Sequence, residues 1–192
     1  MNFEVSIIKA LQSLSCPVVD GIMKVLSFCF DYPLVIGLFI ILILFKKKTE
    51  AGLFLIIEGI SYGLQVTLKA IINRPRPFVS HSDILNIFEA SNSSFPSGHS
   101  TTCMGAVVIL VYLIYKANIS RKNKIVSYVL VSLMPILCAI NRMYLGQHYI
   151  TDCIGGFILA SIVGAGVIGF YVYFKNKRMI GDKNGKEEKS LC

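Results

Sequence analysis

Apolar residues in this chain run in long blocks instead of alternating with polar ones. Five blocks stand out, at about 29–45, 51–72, 98–115, 125–140 and 149–174. A helix that crosses a bilayer needs about 20 apolar residues, within a range of about 17–25. Four of the blocks reach that length, and 125–140 falls just short, so its neighbours must support it. Ahead of them Phe3, Ile7, Ile8, Leu11 and Leu14 recur at helical spacing. That pattern predicts a short amphipathic helix, lying in the membrane interface or packed on the bundle. Residues 17–30 begin with Pro17 and carry Asp20 and Lys24. They read either as a second interfacial helix, which leaves five spans and an outer N-terminus, or as a sixth span with the N-terminus inside. The predicted fold is all-α: a polytopic membrane bundle of five or six transmembrane helices plus the amphipathic helix. One domain covers 1–174, and a charged, loosely ordered tail follows at 175–192. The first residues have no basic segment or small-residue cleavage site, so a cleavable signal is not expected.

The 192 residues are 54% hydrophobic and 16% charged, with a net charge of +8. A basic excess can signal nucleic acid, but its placement here argues against that partner. Lys46–Lys48 follow the first block; Lys116, Arg121, Lys122 and Lys124 follow the third; Lys175, Lys177, Arg178, Lys183, Lys186 and Lys189 crowd the tail. These loops alternate along the chain, and the positive-inside rule makes them and the C-terminus cytoplasmic. The other connections then face outward, and they hold all three histidines: His81, His99 and His148. The six cysteines are scattered without C-x-x-C pairs, which reads as buried thiols instead of disulfides or a metal site.

On that outer side three clusters of unusual residues lie at the ends of apolar blocks. Lys69 precedes Arg74, Arg76 and Pro77; Pro96-Ser97-Gly98-His99 opens the third block; Arg142, His148 and Asp152 lead into the fifth. Each has an ordinary structural reading when taken alone. Lysine can snorkel to headgroups, Ser-Gly can start a helix, and His-x3-Asp can be a simple surface pair. Together they offer phosphate-ester chemistry. Cations neutralise phosphate oxygens, one imidazole attacks phosphorus, and the other protonates the leaving oxygen. Asp152 is spaced to hold one ring nitrogen of His148 and leave the other free to attack. A helix N-terminus at Ser97-Gly98 offers backbone N–H groups to an anion. Glu58, Tyr62, Gln65 and Lys69 share one helix face, which predicts an inward polar stripe because charge in lipid is costly. Glu58 has no assigned role. The outer carboxylates Asp83, Glu89 and Asp152 form no metal cluster by spacing, so no metal is expected.

These motifs, K-x6-R-P, then P-S-G-H, then R-x5-H-x3-D, resemble the type-2 phosphatidic acid phosphatase family, also called lipid phosphate phosphatases. The one departure is Asn141, where that family usually has serine. The resemblance implies a membrane lipid phosphatase without cofactor. It implies His148 as nucleophile through a phosphohistidine, Asp152 as its orienting partner and His99 as general acid and base. It implies that Lys69, Arg76, Ser97, Gly98 and Arg142 bind phosphate. Among its members the chain looks most like the bacterial undecaprenyl-diphosphate phosphatases, which implies hydrolysis of that lipid at the outer face of the plasma membrane. Arg74 is then a candidate contact for a second phosphate. Phosphatidylglycerophosphate or phosphatidate as substrate, and a non-catalytic lipid-binding or transport protein, are the alternatives. The glycines of the fifth block (Gly155, Gly156, Gly164, Gly166, Gly169) permit close helix approach, within the chain or between chains, so the oligomeric state stays open.

Overall fold

The computed structural model describes residues 3–88, 90 and 93–190, with 179–190 as backbone only. Glu89 and Cys192 lie outside the described residues. Eight helices follow in order: α1 (Phe3–Gln12), α2 (Pro17–Cys29), α3 (Tyr32–Leu44), α4 (Lys48–Ile72), α5 (Pro77–Ser80), α6 (Gly98–Lys116), α7 (Arg121–Tyr144) and α8 (Ile150–Ser190). The described residues contain no strand. Helix α6 lies at the centre and packs against α3, α4, α7 and α8.

Four helices are long and apolar enough to cross a membrane: those within Lys48–Ser80, Gly98–Lys116, Arg121–Tyr144 and Ile150–Arg178. A fifth crossing is available if α1 and α2, bent by 117° at their junction, count together. The expected first span at 29–45 is interrupted. Asp31 starts a new helix, and α3 keeps only 13 apolar residues, or roughly 20 Å at about 1.5 Å per residue. The block at 125–140 lengthens instead, because Ser120 caps α7 through the Asn123 N–H and adds a polar first turn. Helix α8 continues through Ser190, so residues 175–190 extend it where a loose tail was expected.

The apolar pattern is turned outward. Leu55, Ile56, Ile60, Val129, Leu130, Leu133, Ile158 and Ile162 are exposed, while Arg142, Asn141 and Asp152 are wholly buried. Lipid tails are as apolar as leucine, so exposed leucines cost nothing there, and polar groups must find one another inside. A core of Leu42, Ala51, Leu53, Phe54, Ala106 and Ile109 joins α3, α4 and α6. Helix α1 packs on the bundle, with Val5 and Ile8 buried beside Ile84, Met143 and Tyr149, and Phe3 outward. The thiols of Cys103, Cys138 and Cys153 are buried and free, but Cys16 and Cys29 are exposed, contrary to the expectation of burial.

Two sharp turns and one close helix approach shape the site end. Asn73 ends α4 in the left-handed conformation at φ 44°, its N–H bonded to the Lys69 carbonyl. Gly146 turns between α7 and His148 at φ 75°, where a Cβ would sit 2.2 Å from the Leu85 carbonyl oxygen. Gly155 and Gly156 let α8 close on the Phe95–Ser97 segment; a Cβ on Gly156 would lie 2.7 Å from the Ser97 carbonyl oxygen. Gly164 meets Val108 in the same way, but Gly166 and Gly169 face open space.

This contrast gives a stability test. Gly156→Ala is expected to cost about 1–3 kcal/mol, because backbone must move to admit the methyl group. Gly166→Ala is expected to stay within about 0.5 kcal/mol. Melting temperatures of the two variants in one detergent check the difference.

Candidate active site

The C-terminal ends of α4 and α7 and the N-terminal ends of α6 and α8 meet at one end of the bundle. Between them lies a cavity of about 1050 Å³, whose walls include Lys69, Arg76, Gly98, His99, Gln147 and His148. The polar stripe of α4 faces it as expected: Glu58, Tyr62, Gln65 and Lys69 all line it. Residues as far apart in the chain as Asp31 and His148 thus share one chamber.

His148 precedes α8, and Asp152 occupies its first turn. The Asp152 carboxylate accepts the Tyr149 backbone N–H at 2.8 Å, which satisfies a helix-start donor. Asp152 also accepts the Ser94 hydroxyl and one Arg74 N–H, the latter at 2.6 Å. Its Oδ2 stands 3.6 Å from Nδ1 of His148. On the other ring nitrogen, Arg76 approaches Nε2 at 3.2 Å. A guanidinium only donates, so Nε2 presents its lone pair and the proton sits on Nδ1, toward Asp152. That leaves a neutral imidazole with its lone pair toward the cavity wall. Burial, with the charges of Arg76 and Lys69, pushes the His148 pKa from 6.5 down to about 4, against the opposing pull of Asp152.

The cations take distinct stations. Lys69 donates to the Ser93 carbonyl at 2.5 Å and lines the cavity. Arg76 donates to the Gln147 carbonyl at 3.0 Å. Arg142 stands one layer behind the wall, with no exposure. It donates to Asn141 and, at 3.0 Å, to the Gln147 side chain. Among the described residues it makes no ion pair. Ser97 is buried and caps α6 by accepting the Ser100 N–H, and Gly98 opens onto the cavity beside Gln65. His99 also lines the cavity, with Nε2 3.7 Å from a carboxylate oxygen of Asp31.

Arg74 differs from its expected role. Its guanidinium is held by Asp152, by Thr151 Oγ1 at 2.7 Å and by Glu4 at 3.0 Å, and it stacks over the Tyr149 ring at 4.0 Å. It does not line the cavity. Glu4 also accepts the Thr151 N–H and hydroxyl, at 3.1 and 2.7 Å. The amphipathic helix α1 is thereby fastened to the back of the His148–Asp152 pair.

The family model of the PAP2 superfamily matches residues 50–178, a stretch that contains every one of these stations except Glu4 and Asp31. The chain belongs to the PAP2 superfamily. It is a membrane phosphatase acting on lipid phosphates. Phosphatidylglycerophosphatase B of Bacillus subtilis (strain 168) is 30% identical over 154 residues, covering 80% of this chain and 73% of that protein. Undecaprenyl-diphosphatase BcrC of the same strain is 30% identical over 171 residues, covering 85% and 81%. The crystal structure of a transmembrane PAP2 type phosphatidylglycerolphosphate phosphatase from Bacillus subtilis superposes with a TM-score of 0.75 at 28% identity, covering 88% of this chain and 85% of that one. LpxE of Aquifex aeolicus shares the fold, with a TM-score of 0.70 at 18% identity, covering 88% and 96%.

Four residues at this site were not singled out from the sequence: Glu4, Asp31, Ser94 and Gln147. Ser94 is adjacent to a motif and Gln147 adjoins His148, so proximity could have marked those two. Glu4 and Asp31 lie far from any motif, and only folding brings them in. Asn141, the departure from the family pattern, has a function of its own. Its Oδ1 accepts from Arg142, and its Nδ2 donates to the Met23 carbonyl at 2.7 Å. A serine hydroxyl is too short to span both.

Two outcomes are expected. Histidine-labelled protein followed by NMR should show the His148 imidazole neutral down to about pH 4, the resonance being assigned with His148→Gln. Since its folded pKa lies below 6.5, this group supports the fold fully above pH 6.5. That support is lost as pH falls toward 4, because the unfolded chain takes up the proton first. Separately, Glu4→Gln should lower kcat about tenfold and leave KM nearly unchanged, since it loosens a charge-assisted bond behind the nucleophile. Steady-state kinetics on a lipid phosphate reads this split.

Proposed function

We propose that this chain hydrolyses a lipid phosphate by two-step displacement through His148, without metal, at the outer face of the plasma membrane. The observation that carries the reading is the His148 ring, with Nδ1 toward Asp152 and Nε2 toward Arg76. Nε2 attacks phosphorus, the bond from phosphorus to the leaving oxygen breaks, and His99 gives that oxygen its proton. Water then attacks the phosphohistidine as His99 takes a proton from it. Phosphorus leaves Nε2, and inorganic phosphate is released. Lys69, Arg76 and the start of α6 hold the phosphate oxygens, with Arg142 behind them. Such a transfer needs positioning and charge stabilisation above all.

The donor set supports cations in place of a metal. Among the described residues no group of three or more His, Cys, Asp or Glu is arranged to hold an ion, and Asp152 is saturated by donors of its own. Outer sidedness is supported by the lysines and arginines gathered at the opposite end of the bundle. There the Lys116–Glu50 pair, at 2.5 Å, ties the two basic connections together.

For the substrate, a glycerophospholipid monoester of the phosphatidylglycerophosphate kind is favoured. The similarity to phosphatidylglycerophosphatase B in sequence and structure supports it. The engagement of Arg74 removes the cation on which a second-phosphate contact rested. Undecaprenyl diphosphate is the second reading, supported by the similarity to BcrC.

Purified protein in detergent should release phosphate from phosphatidylglycerophosphate with EDTA present. His148→Ala should lose about 10⁴-fold or more of kcat. Phosphatidate and undecaprenyl diphosphate measured in parallel rank the substrates. An absolute Mg²⁺ requirement contradicts the mechanism.

A further inference from the structure

The cavity lining carries two cations, Lys69 and Arg76, and two acids, Asp31 and Glu58. Lys69 and Arg76 stand with His148, where phosphorus reacts. Of the acidic side chains, Asp31 is the one beside His99. Asp31 starts α3 at the break that separates it from α2, and its side chain is 45% exposed, within 3.7 Å of His99 Nε2. Glu58 lies deeper. Gly105 makes room for it, since a Cβ there would sit 2.1 Å from Oε1. That oxygen is buried with no hydrogen-bond partner among the described residues.

Since His99 donates to the leaving oxygen, whatever is bonded to that oxygen must pass close to Asp31. An alcohol leaving group brings carbon and hydroxyl groups, and a carboxylate accepts hydrogen bonds from hydroxyls. A diphosphate brings a second anionic phosphate against a fixed negative charge. Arg142 also acts on Asp31, but its guanidinium is fully buried behind the wall and shared between Asn141 and Gln147. The proton transfer points the same way. An alkoxide needs the proton of His99, whereas a phosphate leaves readily without one.

We propose that Asp31 is a specificity-determining residue that screens the leaving group, admitting a hydroxyl-bearing alcohol and repelling a phosphate bonded directly to the leaving oxygen. This rests on the His148 mechanism above and selects among its substrates by repulsion as well as by attraction.

The test compares kcat/KM for phosphatidylglycerophosphate and undecaprenyl diphosphate in the same mixed micelles, for the wild type, Asp31→Asn and Asp31→Glu. Asp31 makes no side-chain cap bond to α3 and is half exposed, so the fold should tolerate asparagine; Asp31→Glu keeps the charge as a control. The wild type is expected to prefer the monoester. Asp31→Asn should shift the ratio toward the diphosphate by about tenfold or more, the scale of a removed like-charge contact, and Asp31→Glu should keep the wild-type ratio. A wild type that prefers the diphosphate overturns the proposal, and so does an Asp31→Asn variant in which both substrates fall together. The second result makes Asp31 only a support for His99. A wild type inert on both lipids instead sinks the substrate reading on which the proposal rests.

Discussion

A carboxylate with no exposure at all must be met by donors on every side, and Asp152 is met by four groups from three parts of the chain. The Ser94 hydroxyl, the Tyr149 N–H, Arg74 and His148 converge on its two oxygens, while its backbone carbonyl accepts the Ser97 N–H at 3.0 Å. Removing one partner from a buried charge leaves the others badly solvated. The position of Asp152 therefore sets the start of α8, the tautomer of His148 and the placement of the Ser97 turn at once. Glu4 reaches the same point through Arg74, which draws α1 into the arrangement from outside the matched family region.

The surrounding bilayer explains why so much polarity gathers at one end. Helices α4, α6, α7 and α8 turn apolar side chains outward, where lipid accepts them. Buried polar groups then have only each other as partners. The glycines at 155 and 156 bring α8 against the Phe95–Ser97 segment closely enough for those partners to meet. Close packing of small residues and hydrogen bonding of large ones are two sides of a single contact. The cost of an isolated charge in lipid keeps the cluster together.

Within the chamber, position assigns chemistry to residues that composition cannot separate. Arg74 and Arg76 are two residues apart and chemically identical. One faces Glu4 and Asp152, and the other faces His148. Asp31 and Asp152 are both carboxylates beside a histidine. One is half exposed beside the cavity, and the other is sealed behind the nucleophile. In each pair the sharp turn next to the residue decides the outcome: Asn73 with Pro75 for the arginines, the α2–α3 break for Asp31.

Much of this protein was determined by its sequence alone. Apolar blocks of bilayer length required helices, because only helices and closed barrels satisfy the backbone in lipid. The placement of Lys69, Arg76, His99, Arg142, His148 and Asp152 at block ends required them to meet at one end. The PAP2 membership and the lipid phosphate chemistry followed from those spacings. Tertiary structure alone decided the rest. It interrupted the expected span at 29–45 at Asp31, drew Glu4 across to Arg74, put Arg142 behind the wall, and used Asn141 to tie Arg142 to α2. The Glu4–Arg74 and Asn141–Met23 contacts join residues 70 and 118 positions apart. Local periodicity carries no record of such pairings, since each is chosen by which buried donor still lacks an acceptor once the helices have packed.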